Sequence, residues 1–137
     1  MKEGIKNMGY YSSYYLTIKD PKNLTLDKEI SHETELAIAK KLCEISGWFE
    51  PSDIDENVEK SEYPLYELIS SDMNKWYDHY DEMIILSKEF PSLYFELEGQ
   101  GEDSDDLWRE YFHNGEGMHS DAQITFDTPE WYGNSET

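Results

Sequence analysis

The sequence predicts an α+β protein with a ferredoxin-like arrangement: two helices on one face of a largely antiparallel sheet, with a C-terminal hairpin. Several runs rich in strand-forming residues alternate apolar and polar positions, and two other segments repeat with a helical period between cap residues. Strands interleaved with two helices are typical of α+β folds. The 137 residues suit one domain. We place it at 9–132, between a loose tail at 1–8 and a frayed tail at 133–137.

The first strand is predicted in "GYYSSYYLTI" at 9–18, which is rich in tyrosine. Because side chains alternate along a strand, the run has two distinct faces. Tyrosines on one face are expected in the core, and those on the other at a binding surface. One face carries Tyr10, Ser12, Tyr14, Leu16 and Ile18, and the other Tyr11, Ser13, Tyr15 and Thr17.

The first helix begins at Ser31, a favourable N-cap residue, with Glu33 and Glu35 in a first turn where the helix dipole favours negative charge. Gly47 supplies the stop. Its apolar stripe is Leu36, Ala39, Leu42 and Cys43. Since Cys43 lies on that stripe, a packed thiol is favoured over a nucleophile.

The segment 47–64 is acidic and is interrupted by two prolines, which predicts a short strand near Trp48–Phe49 and then a surface loop. Residues 65–70 fit either a strand or a helical turn begun by Pro64, and "MNKWY" at 73–77 predicts a strand.

The second helix is predicted to begin at Asp78, with Asp81 completing a pair that resembles a capping box. It runs to about Phe90 and ends at Pro91. Its inward positions are Met83, Ile84 and Ser87.

Three strands complete the domain. In "LYFELE" at 93–98, Leu93, Phe95 and Leu97 face inward. "LWREYFH" at 107–113 is the next strand, and "DAQITF" at 121–126 is the returning strand. Asn114-Gly115 is a strong hairpin-turn signal between them.

The composition favours a basic partner. The formal net charge is −20, from 31 acidic and 11 basic residues. Such a balance opposes binding to nucleic acid or to an anionic membrane. A very soluble or salt-adapted protein is the alternative.

One cysteine permits no intrachain disulfide. No apolar run has membrane-spanning length, and the first residues lack a signal core. We therefore expect a cytoplasmic protein.

Metal sites fit the sequence poorly. Counted from Asp103, a calcium loop would need Gly at position 108 and Glu at 114, where Trp and Asn stand. A weak cation site at 102–106 stays an alternative.

His113 and His119 flank the hairpin turn. In either plausible register, strand alternation places them on opposite faces, and there is no His-x₃-His or CxxC pair. No metal and no cofactor are therefore expected.

Catalytic motifs are also absent from the sequence: there is no GxSxG, P-loop or GxGxxG. Asp78, His79 and Asp81 offer material for acid–base chemistry, but both aspartates have a structural use at a helix start. We predict no catalytic residues and no enzyme.

Two segments concentrate the acidic charge, and together they predict a surface that contacts a partner. Carboxylates spaced along strands and loops can imitate the phosphates of a duplex, and steering would speed the encounter. The predicted contact residues are Asp53, Asp55, Glu56 and Glu59 in the first segment, and Glu98, Glu102, Asp103, Asp105, Asp106 and Glu110 in the second.

A third of the chain, from Lys75 to Glu116, resembles small uncharacterised proteins of bacterial phages and mobile elements. The shared features are a Trp-Tyr-x-His segment, a Leu-Ser-x-x-x-Pro helix end, a Glu-x-x-Gly-Glu loop and a Trp…Tyr-Phe-x-x-Gly strand and turn. They fall on Trp76, Tyr77, His79, Leu86, Ser87, Pro91, Glu98, Gly101, Glu102, Trp108, Tyr111, Phe112 and Gly115. The resemblance implies a ferredoxin-like phage domain without a known active site. By analogy it implies an anti-defence factor such as an anti-CRISPR protein.

Three functional hypotheses follow. The first is a non-enzymatic anti-CRISPR-type inhibitor whose acidic surface occupies a basic nucleic-acid-binding site of a host effector, in the bacterial cytoplasm. The second is a phage structural or regulatory module that acts through its Tyr-rich face, with a homodimer as one form. The third is an enzyme or metal protein that uses His79 or His113 with nearby acids.

Overall fold

The computed structural model describes residues 12–23, 30–70, 74–103 and 105–133. Their sheet has four antiparallel strands in the order β1-β2-β3-β4. An α+β fold with an antiparallel sheet is therefore confirmed. The strands are β1 Ser13–Lys19, β2 Tyr94–Gln100, β3 Leu107–His113 and β4 Glu116–Asp121.

Four α-helices occur in the described part of the chain, and all four lie between β1 and β2 in sequence. The ferredoxin-like arrangement with two helices is not confirmed, since its β-α-β-β-α-β element order is not the order observed here. The helices are α1 His32–Ile45, α2 Glu56–Lys60, α3 Pro64–Ser70 and α4 His79–Glu89.

Helix α1 begins as predicted, because the Ser31 hydroxyl accepts the Thr34 amide at 3.1 Å. It ends at Ser46, whose extended backbone donates its N–H to the Leu42 carbonyl. The chain therefore leaves the helix before Gly47, and Gly47 does not need a left-handed conformation. The Gly47 amide instead donates to the Glu82 carboxylate at 2.8 Å, which ties this end of α1 to α4.

Two predicted strands are not strands. Residues 48 and 49 form no strand, and the segment after them contains a short 3₁₀ turn, Pro51–Asp53, followed by α2. In the described part of "MNKWY", Asn74 makes one isolated bridge to Ser12 and the chain then turns into α4. Aromatic residues favoured strands there, but tertiary packing determines the backbone: Trp76 is fully buried and its indole donates to Glu82. Residues 64–70 form a helix, which is one of the two alternatives predicted.

The core lies between the helices and the inward face of the sheet. Phe95 and Leu97 on β2 and Phe112 on β3 are buried there, as the alternation of "LYFELE" predicted. Glu82 is also buried on α4, although the pattern of apolar residues along this helix does not predict a buried glutamate. The other large side chains with almost no exposure are Trp76, Ile38, Leu42, Ile69, Met83 and Leu86.

The C-terminal hairpin turns at Asn114-Gly115, as predicted, with positive φ at both residues (48° and 86°). The predicted returning strand is wrong: β4 is Glu116–Asp121, and "ITF" lies beyond it. A two-residue turn leaves no room for an intervening loop, so pairing begins at once. The last backbone bond to β3 runs from the Ala122 amide to the Leu107 carbonyl at 2.8 Å.

Residues 123–133, here called the C-terminal arm, continue past that bond without regular structure except a 3₁₀ turn at Glu130–Tyr132. Every residue of the arm is exposed. Residues 1–11 and 134–137 lie outside the described residues, and they include Tyr10, Tyr11 and all of the predicted tails except Gly133. Among the described residues no helix is long and apolar enough to span a membrane.

Candidate functional site

The acidic loop between β2 and β3 presents carboxylates at the surface. Its backbone closes on itself, because the Gly101 amide donates to the Asp106 carbonyl at 2.8 Å and the Asp106 amide to the Asp103 carbonyl at 3.0 Å. These bonds satisfy the turn from within. Glu102, Asp103 and Asp105 are exposed, and Asp106 is half-buried.

Glu98 lies on the outward face of β2, and its carboxylate is only partly available to a binding partner. The Arg109 guanidinium donates to it at 2.9 Å and lies 3.7 Å from Glu96. The hydrogen bond with Glu98 is the main reason that the pKa of Arg109 is raised. Glu98 therefore carries a paired charge.

The prediction of Glu110 as a contact residue must be corrected. Its residue is only 2% exposed, on the inward face of β3. One carboxylate oxygen lies 2.7 Å from His79 Nδ1, and the other lies 2.7 Å from His119 Nδ1. A buried carboxylate needs such partners, because desolvation of an unpaired charge is very costly. Glu110 thus belongs to the interior.

His119 extends this network to the surface. Its Nε2 lies 2.8 Å from Asp121 Oδ1, so both ring nitrogens face carboxylates. Only the imidazolium form can donate from both nitrogens. The hydrogen bond with Glu110 is the largest cause of a raised His119 pKa. We call His79, Glu110, His119 and Asp121 the histidine–carboxylate chain.

Aromatic side chains fix one end of this chain. The His79 ring stacks on Trp108, with centroids 4.6 Å apart and planes 13° apart, and the Tyr14 ring lies 5.7 Å away. Trp108 lies directly over Gly99, where an added Cβ would fall 2.1 Å from the indole. Burial raises the pKa of Tyr14 to about 12, and its hydroxyl donates to the Trp76 carbonyl at 3.1 Å.

This arrangement could relay a proton, but its geometry is that of a structural network. Each carboxylate oxygen of Glu110 already has a histidine partner, and His79 is wedged between aromatic rings. A cavity of about 280 Å³ touches Trp108 and Asp121, and its lining does not include Glu110 or either histidine. Among the described residues no three His, Cys, Asp or Glu side chains converge to hold a metal ion.

The sequence analysis did not predict the histidine–carboxylate chain, although the hairpin register gave one indication of it. A two-residue turn at Asn114-Gly115 places position 119 opposite position 110, and the structure has that register. It also puts His113 and His119 on opposite faces, as predicted: His113 stacks on Tyr94 at 4.0 Å on the outward face. The approach of His79 to Glu110 spans 31 residues, and no local pattern reveals it.

The residues of the first acidic segment mostly have local structural uses. The Asp53 carboxylate accepts the Glu50 amide at 2.8 Å, and that of Asp55 caps α2 by accepting the Val58 amide at 3.0 Å. Glu56 pairs with Lys60 one turn further along α2. Glu59 is exposed.

Asp53 and Asp55 also line a cavity of about 440 Å³ with a largely polar surface. Trp48 and Glu67 form part of the same wall. An aromatic face next to carboxylates suits a cationic group, by charge and by cation–π attraction.

The outward face of the sheet, here called the open face, carries exposed side chains on several strands. At its β1 edge, the Tyr15 ring lies edge-on to Tyr66 of α3, with centroids 6.2 Å apart. Tyr15, Tyr94 and Met118 there are about half exposed. A groove of about 590 Å³ crosses it, lined by apolar and aromatic side chains with few charges. Its main walls are Pro21, Tyr94, Tyr111, His113 and Met118, with Lys19, Glu96 and Glu116 at the charged positions.

Comparison of the chain with protein-family models, with curated proteins and with solved structures finds no match. The site must therefore be interpreted from its own geometry.

Proposed function

We propose that this protein is a non-enzymatic inhibitor that binds a basic, nucleic-acid-binding surface of another protein. The observation that carries the proposal is the exposed acidic loop, with Glu102, Asp103 and Asp105 at the surface of a chain of net charge −20. Lysine and arginine that normally hold a phosphate backbone would pair with these carboxylates. The acidic cavity beside Trp48 supports the same class of partner.

The proposed setting is phage anti-defence in the cytoplasm of a bacterial host, with a CRISPR effector as the target. This narrower part rests on the resemblance to phage and mobile-element proteins. In this setting the protein competes with guide or target backbone, and it binds no nucleic acid itself because its charge repels phosphate.

A competition experiment tests the proposal. Labelled target duplex is bound to a set of CRISPR effector–guide complexes, and fluorescence anisotropy follows its release as the protein is added. We expect release by at least one complex, with weaker competition as salt rises because charge pairing is screened. A protein that leaves the duplex bound in every complex would contradict the proposal.

Matched variants locate the contact. The double variant Asp103→Lys with Asp105→Lys should compete about tenfold or more weakly, since two attractive charges become repulsive. The control is Glu44→Lys with Glu89→Lys, which makes the same change in net charge near the ends of α1 and α4, where both glutamates are exposed. If both variants lose the same amount, bulk charge and not the loop determines binding.

A second candidate function is a structural or regulatory module that binds protein through the open face. The groove favours it: an aromatic groove of about 590 Å³ is a feature of protein-binding surfaces and contributes nothing to the acidic-surface proposal.

A further inference from the structure

We infer that the C-terminal arm docks into the open-face groove of a second copy of this chain, so that two copies exchange arms. The inference rests on the second candidate function, in which the open face binds protein, and it names the partner. It does not depend on the acidic loop.

The arm exposes large apolar side chains. Phe126 is 85% exposed and Trp131 83% exposed, and Ile124 and Tyr132 are more than half exposed. Soluble proteins rarely leave such a set uncovered on one short segment, because apolar surface in water is unfavourable. These side chains need a cover that the described part of their own chain does not provide.

The groove also presents exposed apolar surface, which could cover the arm. Tyr94, Tyr111 and Met118 present apolar surface on its walls and remain partly exposed. Its charged positions are mixed, with Lys19 against Glu96 and Glu116, so neither a strongly basic nor a strongly acidic ligand is favoured. The arm carries only two charged residues, Asp127 and Glu130, which are both acidic and are spaced among the aromatic residues. Apolar contact would dominate their association.

The geometry allows exchange between two copies. The arm leaves β4 beside Leu107, at the end of β3 opposite to His113 and the groove. Eleven extended residues span at most about 36–40 Å, which is enough to reach a groove on a neighbouring copy. A two-fold dimer places the arm of each copy in the groove of the other, which gives two equivalent contacts.

The area suits a stable dimer. A buried aromatic side chain contributes about 150–250 Å², so the exposed apolar residues of one arm offer roughly 400–500 Å². The two arms together therefore offer roughly 800–1,000 Å² before any groove surface is added, which approaches the size of a standard specific interface. The groove of each copy and the arm of the other therefore cover each other's exposed apolar surface without a third component.

Sedimentation of the full chain tests this arrangement. We expect a species at twice the 16.2 kDa chain mass at micromolar concentration. Because each copy carries −20, the dimer should tighten as salt rises, which is opposite to the acidic-surface binding. A wild-type protein that stays monomeric at about 100 μM in low and in high salt would overturn the inference.

Two variants separate the halves of the contact. Phe126→Ser with Trp131→Ser disables the arm, and Met118→Glu places a charge in the groove. Each alone should weaken dimerisation at least tenfold. The control, Tyr63→Ser with Ile85→Ser, removes two exposed apolar side chains outside both elements and should dimerise like the parent.

Mixing the variants is the decisive step. The arm variant keeps an intact groove, and the groove variant keeps an intact arm, so the mixture should form a heterodimer with one of the two contacts restored. A heterodimer also shows that both variants are folded. If the groove variant alone dimerises normally, the arms pair with each other. If the arm variant alone does so, two open faces pair. Either result, or no heterodimer from two folded variants, overturns arm exchange.

Discussion

At the scale of single residues, Glu110 is expected to contribute to stability through its two histidine partners. Both of its carboxylate oxygens hold a histidine at 2.7 Å inside the protein. Glu110→Gln keeps the shape but removes the charge and one acceptor, so we expect a loss of about 2–3 kcal/mol in the free energy of unfolding. Urea unfolding at neutral pH measures it.

The matched control for that prediction is Glu98→Gln. This glutamate is also on the sheet and also paired, but it stands on the outward face with Arg109. Solvent screens such a pair, so its loss should be far smaller. Equal losses for the two variants would mean that the buried network contributes nothing beyond a surface ion pair.

His119 gives the stability a pH dependence. Its pKa is raised above the ordinary 6.5, first by the hydrogen bond to Glu110 and also by Asp121. A raised pKa stabilises the folded state fully below pH 6.5, and this contribution is lost as pH rises through the folded-state value. The effect should be modest, because the His119 side chain is 41% exposed.

Urea unfolding between about pH 5.5 and pH 8.5 checks this dependence. The parent should lose stability across the upper part of that range, and His119→Gln should show a flatter profile. An NMR titration of the His119 ring should give a midpoint above 6.5. A midpoint at or below 6.5 would contradict the raised pKa.

At the scale of elements, two predicted helix caps differ in the structure. The Ser31 hydroxyl accepts the Thr34 amide, whereas the Asp78 side chain makes no cap hydrogen bond. We therefore expect Ser31→Ala to cost about 1 kcal/mol and Asp78→Ala only a few tenths, from the helix dipole. Thermal or urea unfolding of the two variants measures both stability costs. An equal cost would show that the residue type at the cap, not its hydrogen bond, determines stability.

The helices, strands and turns show which structural elements could be predicted from the sequence. Local signals located α1, β2, β3 and the Asn114-Gly115 turn, because each depends on residues close in the chain. They failed at Trp48 and Trp76, where packing overrides the strand propensity of aromatic residues. Of the predicted contact residues, Glu110 was misplaced because its partner His79 is distant in sequence. Exposure of Glu102, Asp103 and Asp105 was predictable, since charged residues are seldom buried.

At the scale of the whole molecule, the net charge of −20 opposes folding through self-repulsion. The Debye length falls from about 30 Å at 0.01 M salt to about 3 Å at 1 M, so added salt should stabilise the fold. Asp103→Lys with Asp105→Lys changes the net charge by two units at each position, from −20 to −16. We expect this variant to unfold at a higher temperature than the parent in low salt, while it competes more weakly for a basic partner.

Thermal unfolding of the parent and the variant across that salt range measures the repulsion. The difference in melting temperature should be largest in low salt and should disappear near 1 M, where long-range repulsion is screened. Glu44→Lys with Glu89→Lys makes the same change in net charge but breaks the ion pairs with Lys41, so part of its gain should be lost. If the loop variant is no more stable than the parent in low salt, the loop carboxylates do not destabilise the fold. If it is more stable and also competes more weakly, the acidic loop is maintained for binding at a cost in stability.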